Sequence, residues 1–196
     1  MIVKNVRHRL KLAWQNLVIA ARYDVLVERG VTFKYIDSIA FGAHTTVQSG
    51  AYIYGSRKGA WVCFGDHVVV AAGAMVLGEG GVIVGDYTHL GPRVVVTSQY
   101  GDSTAEMMTA TPTVRTERVR IGRGSWIGSG AIIMPGVNLG DRCVVAPGSV
   151  VYGRWPDGTK LAGNPARRVR GLETASPSPS TETASHSPPS SEIAAE

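Results

Sequence analysis

Aliphatic residues recur every six positions along the second half of this chain. The file runs Ile121, Ile127, Ile133, Leu139, Val145, Val151, and a small residue usually follows each member. A second file of small or apolar residues, Ala131, Val137, Cys143 and Ser149, sits four after the first. A period of six is neither the 3.6 of a helix nor the 2 of a strand. It fits a triangular coil in which each hexapeptide makes one short strand and one corner. The aliphatic residues then stack inward, ~4.8 Å from coil to coil, and Gly, Asn and Asp serve corners that need φ > 0.

The same phase extends backwards through Phe41, Val47, Ile53, then Phe64, Val70, Val76, then Val84, Leu90, Val96. This predicts an all-β parallel β-helix of about five coils. The steps that depart from six are Ile53 to Phe64, Val76 to Val84 and Val96 to Ile121. All follow the third hexapeptide of a coil, so the inserted residues extrude from one edge. That edge carries Arg57, Lys58, Glu79 and a long loop over 97–120. Loops gathered on one face of a repeat scaffold are where function is expected; padding of a subunit contact is the plainer reading.

Outside the repeat the pattern changes. Val6, Leu10, Trp14, Leu17 and Ala21 fall near helical spacing, which predicts a helical cap over residues 1–30. Lys4, Arg7, Arg9 and Lys11 on the same stretch leave open a weak membrane-surface contact through residues 4–18. Residues 171–196 are Ser, Pro, Thr and Glu with little that is apolar, and are expected to be a disordered tail. The domains are therefore 1–30, 31–170 and 171–196.

Charge sharpens the picture. All 20 Lys and Arg end by Arg170, and four of the 15 acids lie in the tail, so the rest of the chain carries 20 − 11 = +9. That balance favours anionic partners such as a phosphorylated cofactor or a nucleotide-sugar. No helix-turn-helix, zinc-finger or aromatic RNA-binding motif is present, and nucleic acid is not expected. Cys63 and Cys143 make neither a disulfide framework nor a CxxC pair, so no metal is expected and the location is read as cytoplasmic.

The stretch Ile121-Gly-Arg-Gly-Ser-Trp-Ile-Gly-Ser-Gly-Ala-Ile-Ile-Met-Pro-Gly-Val-Asn-Leu-Gly140, with Ala146-Pro-Gly-Ser-Val-Val151 and Gly163-Asn-Pro-Ala166, resembles the hexapeptide-repeat acyltransferases. The likeness points to the branch of maltose and galactoside acetyltransferases and the sugar O-acetyltransferases of glycan synthesis. It implies a left-handed helix, a homotrimer with sites between subunits, an acetyl-CoA donor and a sugar-type acceptor. By the same resemblance Trp126 lies beside the CoA chain, and Ser129, Gly130, Gly148, Tyr152 and Asn164 line its path. Pro147 stands where the family has alanine and lacks an N–H. Arg167 and Arg168, with Arg170, fall near the CoA phosphates, or form a solvated terminal strand.

The family's base is a histidine at the root of the long loop, where this chain reads Val96-Thr-Ser-Gln-Tyr100-Gly-Asp102. Candidates for its task are Tyr100, Asp102, Glu79 and His89. Each also reads as an ordinary surface or scaffold residue. His44, His67 and Tyr87 occupy one column of successive coils and should stack. Two other functional classes stay open: a catalytically silent binding scaffold, and a γ-carbonic-anhydrase-like trimer with zinc held by histidines, although the His-x4-His pair of that family is missing.

Overall fold

A computed structural model describes residues 24–57, 59–101 and 114–170. Lys58, Asp102, most of the helical cap, the body of the long loop and the tail lie outside the described residues.

The described chain is a parallel β-helix with three faces. The first face stacks Leu26–Val27, Thr46–Val47, Val69–Val70, His89–Leu90, Trp126–Ile127, Val144–Val145 and Lys160–Gly163. The second stacks Thr32–Lys34, Tyr52–Tyr54, Met75–Leu77, Val95–Thr97, Ile132–Ile133 and Val150–Val151. The third stacks Ile39–Phe41, Val62–Phe64, Val82–Val84, Val119–Ile121, Asn138–Leu139 and Arg154–Trp155. Registers run coil over coil: Leu90 pairs with Val70 and Ile127, and Val96 with Val76 and Ile133. Ala166–Arg168 turns back antiparallel on Lys160–Gly163 and closes the end of the first face.

There are six full turns rather than five. Val27 and Phe33 add a turn below Phe41, and Trp155 and Leu161 extend the stack above Val151. The six-residue count misses these because Phe33 to Phe41 is a step of eight and Val151 to Trp155 a step of four. Both irregular steps fall at the corner between the second and third faces, the corner that also takes every other insertion. Of the expected helical cap over 1–30, residues 1–23 lie outside the described residues. Leu26–Val27 is already a strand paired with Thr46–Val47, so residues from Asp24 on belong to the solenoid.

The core is the repeat made solid. Ile53, Leu90, Ile121, Ile127, Ile133, Leu139 and Leu161 are fully buried, and the second file (Ala131, Val137, Cys143, Ser149) is buried between them. Each large aliphatic side chain withdrawn from water contributes about 1.5–3 kcal/mol. Phe41 stacks on Phe64 at 5.0 Å between ring centroids, and Phe33 meets Phe41 edge-on at 6.0 Å. The corners turn through residues at positive φ. Gly130 at +68° and Gly148 at +67° take this without steric cost, whereas His44, His67 and Tyr87 take it as larger side chains. Those three rings form the expected column, His44–His67 at 4.9 Å and His67–Tyr87 at 4.8 Å.

Candidate functional site

The expected site residues fall into three places. The edge between the second and third faces holds Glu79 and Tyr100. Glu79 is buried with its side chain 3% exposed, beside an Arg57 side chain that is 58% exposed. Its Oε2 accepts from the Arg57 backbone N–H at 3.3 Å, and its Oε1 lies 3.5 Å from Arg57 Nε without a hydrogen bond. Tyr54, then Glu79 and Tyr35, hold the Arg57 guanidinium above its ordinary pKa. Burial first, and the Glu79 carboxylate second, push the Tyr54 phenol up. Two buried hydroxyls stitch the insertions to the coils. Ser56 Oγ donates to the Glu79 carbonyl at 3.0 Å, and Ser98 Oγ donates to the Leu77 carbonyl at 2.8 Å while accepting from the Gly80 N–H.

Above them the long loop leaves and returns as a two-stranded antiparallel ribbon, Gln99–Gly101 against Val114–Thr116. Tyr100 Oη donates to Glu117 Oε1 at 3.1 Å, so its carboxylate partner is Glu117 rather than Glu79. Sequence reasoning missed Glu117. Its position four residues before Ile121 marks the end of the insertion, but nothing in the spacing pairs it with Tyr100.

His89 is elsewhere. It points outward from the first face, across the prism from that edge, and stacks flat on Trp126 at 4.4 Å with an interplanar angle of 7°. Burial holds its pKa below the ordinary histidine value. Within one chain His89 therefore meets neither Glu79 nor Tyr100. It meets Trp126, which stays 55% exposed on its other side.

Ser129, Gly130, Pro147 and Gly148 follow at the corner between the first and second faces, all exposed. An added Cβ at Gly130 or Gly148 would meet nothing within 4 Å, so the surface over both is open. This corner has an internal logic. The Ser49 N–H donates to Glu28 Oε2 of the coil below at 2.8 Å, and the Ala72 N–H donates to Gln48 Oε1 at 3.1 Å. The next equivalent positions are Pro92, Ser129 and Pro147. The prolines have no N–H to satisfy. Ser129 has one, and the residue below it is Gly91, which offers no side chain. A Cβ built on Gly91 would stand 3.0 Å from Ser129 N and 2.8 Å from the Ile127 carbonyl oxygen. The coils pack too closely over Gly91, two residues from His89, for a side chain to close this amide, and the Ser129 N–H makes no hydrogen bond among the described residues. Sequence reasoning named Ser129 for its small size; the donor shows only when positions 28, 48, 71, 91 and 128 are set in register.

Tyr152 and Asn164 are exposed farther up, and Arg167 and Arg168 lie exposed on the terminal hairpin, Arg167 Nη1 donating to the Ala166 carbonyl at 3.0 Å. Burial raises the thiol pKa of Cys63 and of Cys143. Among the described residues no three His, Cys, Asp or Glu side chains gather as a metal site.

Comparison with known proteins now bears on this arrangement. The family described as bacterial transferase hexapeptide (six repeats) matches residues 118–153. Over those residues the chain carries the hexapeptide repeat of that family. Its sequence is 40% identical over 111 residues to nodulation protein L of Rhizobium meliloti, covering 56% of this chain and 59% of that protein. It is 33% identical over 89 residues to galactoside O-acetyltransferase of Escherichia coli, covering 45% and 43%. The chain thus spans 59% and 43% of the length of these two curated relatives. Among solved structures, AntD, an N-acyltransferase from Bacillus cereus in complex with dTDP and coenzyme A, superposes with a TM-score of 0.69 at 19% identity, over 80% of this chain and 88% of that one. The acetyltransferase domain of PglB from Neisseria gonorrhoeae, in complex with acetyl coenzyme A, gives 0.57 at 23% identity, over 74% and 57%. At these identities the structural likeness establishes the fold.

Proposed function

We propose that this hexapeptide-repeat protein transfers an acyl group from acetyl-CoA directly to a hydroxyl or amine of a sugar, nucleotide-sugar or glycan precursor. The observation that carries the reading is the half-open face around Trp126. A flat exposed indole lies beside a corner whose glycines leave the surface bare and whose exposed Ser129 keeps an N–H with no hydrogen bond among the described residues. An extended pantetheine arm needs such a bare track, and a thioester carbonyl needs such a donor. In a tetrahedral intermediate the carbonyl oxygen becomes an oxyanion, and a preorganised N–H aimed at it stabilises the transition state. Arg167 and Arg168 on the terminal hairpin suit the phosphates, because guanidinium matches phosphate oxygens in geometry. The names of the relatives, an O-acetyltransferase of galactosides and an N-acyltransferase bound to dTDP, support a sugar-type acceptor.

The assembly proposed is a homotrimer with the site between subunits. The outward side of the second face supports self-association. Tyr52, Tyr54, Met75, Leu77, Val95, Ile132, Met134 and Val150 run along it with partial exposure that a second copy would cover. In such a ring the edge bearing Tyr100 and Glu117 of one subunit faces the first face of the next.

The experiment is incubation of the purified chain with acetyl-CoA and a panel of sugars and nucleotide-sugars, following loss of the thioester. Thioester loss that requires an acceptor is expected. A folded protein that binds no CoA would refute the proposal.

A further inference from the structure

We infer that His89 is the general base of the transfer, so that the proton-accepting group stands on the first face of the solenoid rather than in the long loop. The inference rests on the acyltransferase reading above and adds the residue that reading lacks. Three observations converge. The His89 ring covers one side of Trp126 at 4.4 Å, so it borders whatever runs along that indole. It sits two residues before Gly91, which follows directly on the His89–Leu90 strand, about 6–7 Å between Cα positions at the rise of extended backbone. Gly91 in turn packs directly under the Ser129 N–H, so the imidazole is within a side chain's reach of that open amide. Its ring nitrogens, finally, make no hydrogen bond among the described residues, unlike His44, whose Nδ1 is held by Asp24 Oδ2 at 3.1 Å.

The protonation state agrees with this geometry. Burial lowers the His89 pKa, so the neutral, proton-accepting imidazole prevails at neutral pH. The strands on either side present Val69 and Trp126, which do not titrate. Tyr87 and Arg93 stand at the two ends of the His89 strand, and Lys160 lies two strands beyond Trp126.

The step balances without a further reactant. The acceptor oxygen or nitrogen forms a bond to the thioester carbon as His89 takes its proton. The tetrahedral oxyanion, held by the Ser129 N–H, re-forms the carbonyl and breaks the C–S bond. The imidazolium returns its proton to the departing thiolate, leaving free CoA, acylated acceptor and neutral His89.

The test compares the wild-type chain with His89→Gln, by the pH dependence of kcat and kcat/KM from pH 5 to 9. The glutamine variant is expected to lose about 10²–10⁴-fold in kcat, the range for a removed acid–base group. KM for acetyl-CoA should stay within a few-fold, and the acid limb should vanish. An NMR titration of the wild type with CoA is the second readout, and the His89 ring signals are expected to shift on binding. Wild-type turnover that His89→Gln retains with its acid limb intact would overturn the inference alone, as would CoA binding that leaves the His89 signals unmoved. A wild type that turns over no acceptor contradicts the acyltransferase reading itself.

Discussion

Two corners of the same solenoid keep a strict six-residue step and yet are finished differently. At the corner between the third and first faces, aspartates close the backbone. Asp66 accepts from Ala43 N–H, Asp86 from Asp66 N–H, Asp141 from Arg123 N–H and Asp157 from Asp141 N–H, all within 3.0 Å. Buried Thr45, Thr88 and Ser125 add a parallel ladder of hydroxyls, Thr45 and Thr88 each donating to a carbonyl of the coil above. At the corner between the first and second faces, side chains close the lower coils through Glu28 and Gln48, and then they stop. Proline removes the donor at 92 and 147, and at 129 the donor remains with glycine below it. Along one corner aspartates accept from Ala43, Asp66, Arg123 and Asp141 while the Asp86 N–H makes no hydrogen bond among the described residues; along the other it is the Ser129 N–H, on an exposed residue, that makes none.

The comparison can be broken most forcefully at the glycines. A Cβ on Gly122, at the aspartate corner, would lie 2.4 Å from the Gly140 backbone, which cannot give way. Gly122→Val is expected to cost about 3 kcal/mol or more through forced separation of the coils. Gly130→Ala meets no atom and should lose only the roughly 1–2 kcal/mol of a side chain at positive φ. Denaturant midpoints measure both; equal losses would mean the two corners are packed alike.

The third corner supplies the next test. Glu79 is buried and Arg57 is not, so removing either has unequal consequences. Arg57→Ala strands a buried carboxylate and should cost about 1–3 kcal/mol. Glu79→Gln removes the charge and should cost less than Arg57→Ala. Thermal melts that rank them the other way would show that this pair does not hold the insertion.

Smaller again is the aspartate ladder. Asp141→Ala frees the Arg123 N–H at a partly exposed corner, and a net loss of about 0.5–1.5 kcal/mol is expected, within reach of urea titration. The smallest effect concerns pH. The folded pKa of His89 lies below its unfolded value of 6.5, so the unfolded chain binds the proton more readily. The stability due to neutral His89 is full above that value and declines as pH falls from there towards the folded pKa. His89→Gln should remove this decline, measured as the difference in melting temperature between pH 7.5 and pH 5.

Much of this was legible beforehand because the period is a covalent fact. Every aliphatic position in the file from Phe41 to Val151 proved to be a core residue, and the His44–His67–Tyr87 column followed from the register. The first and last turns were missed because steps of eight and four interrupt the count at Phe41 and Trp155. The site was harder. Spacing placed Glu79 and the long loop on one edge, but the stacking of His89 on Trp126 joins residues 37 positions apart across an insertion. The pairing of Tyr100 with Glu117 depends on how the ribbon folds back. The Ser129 amide is conspicuous only against Glu28 and Gln48, two coils in which the same amide is closed.

That amide gives the most direct test of the central claim, that the first face and its corner are built to receive acyl-CoA. Ser129→Pro places at this corner the residue its neighbours already carry at 92 and 147, so the solenoid should fold with its melting temperature unchanged. Calorimetric titration with acetyl-CoA should then show affinity about tenfold weaker than the wild type, the loss of one hydrogen bond of about 1.4 kcal/mol. An unchanged affinity in the folded proline variant would contradict the account.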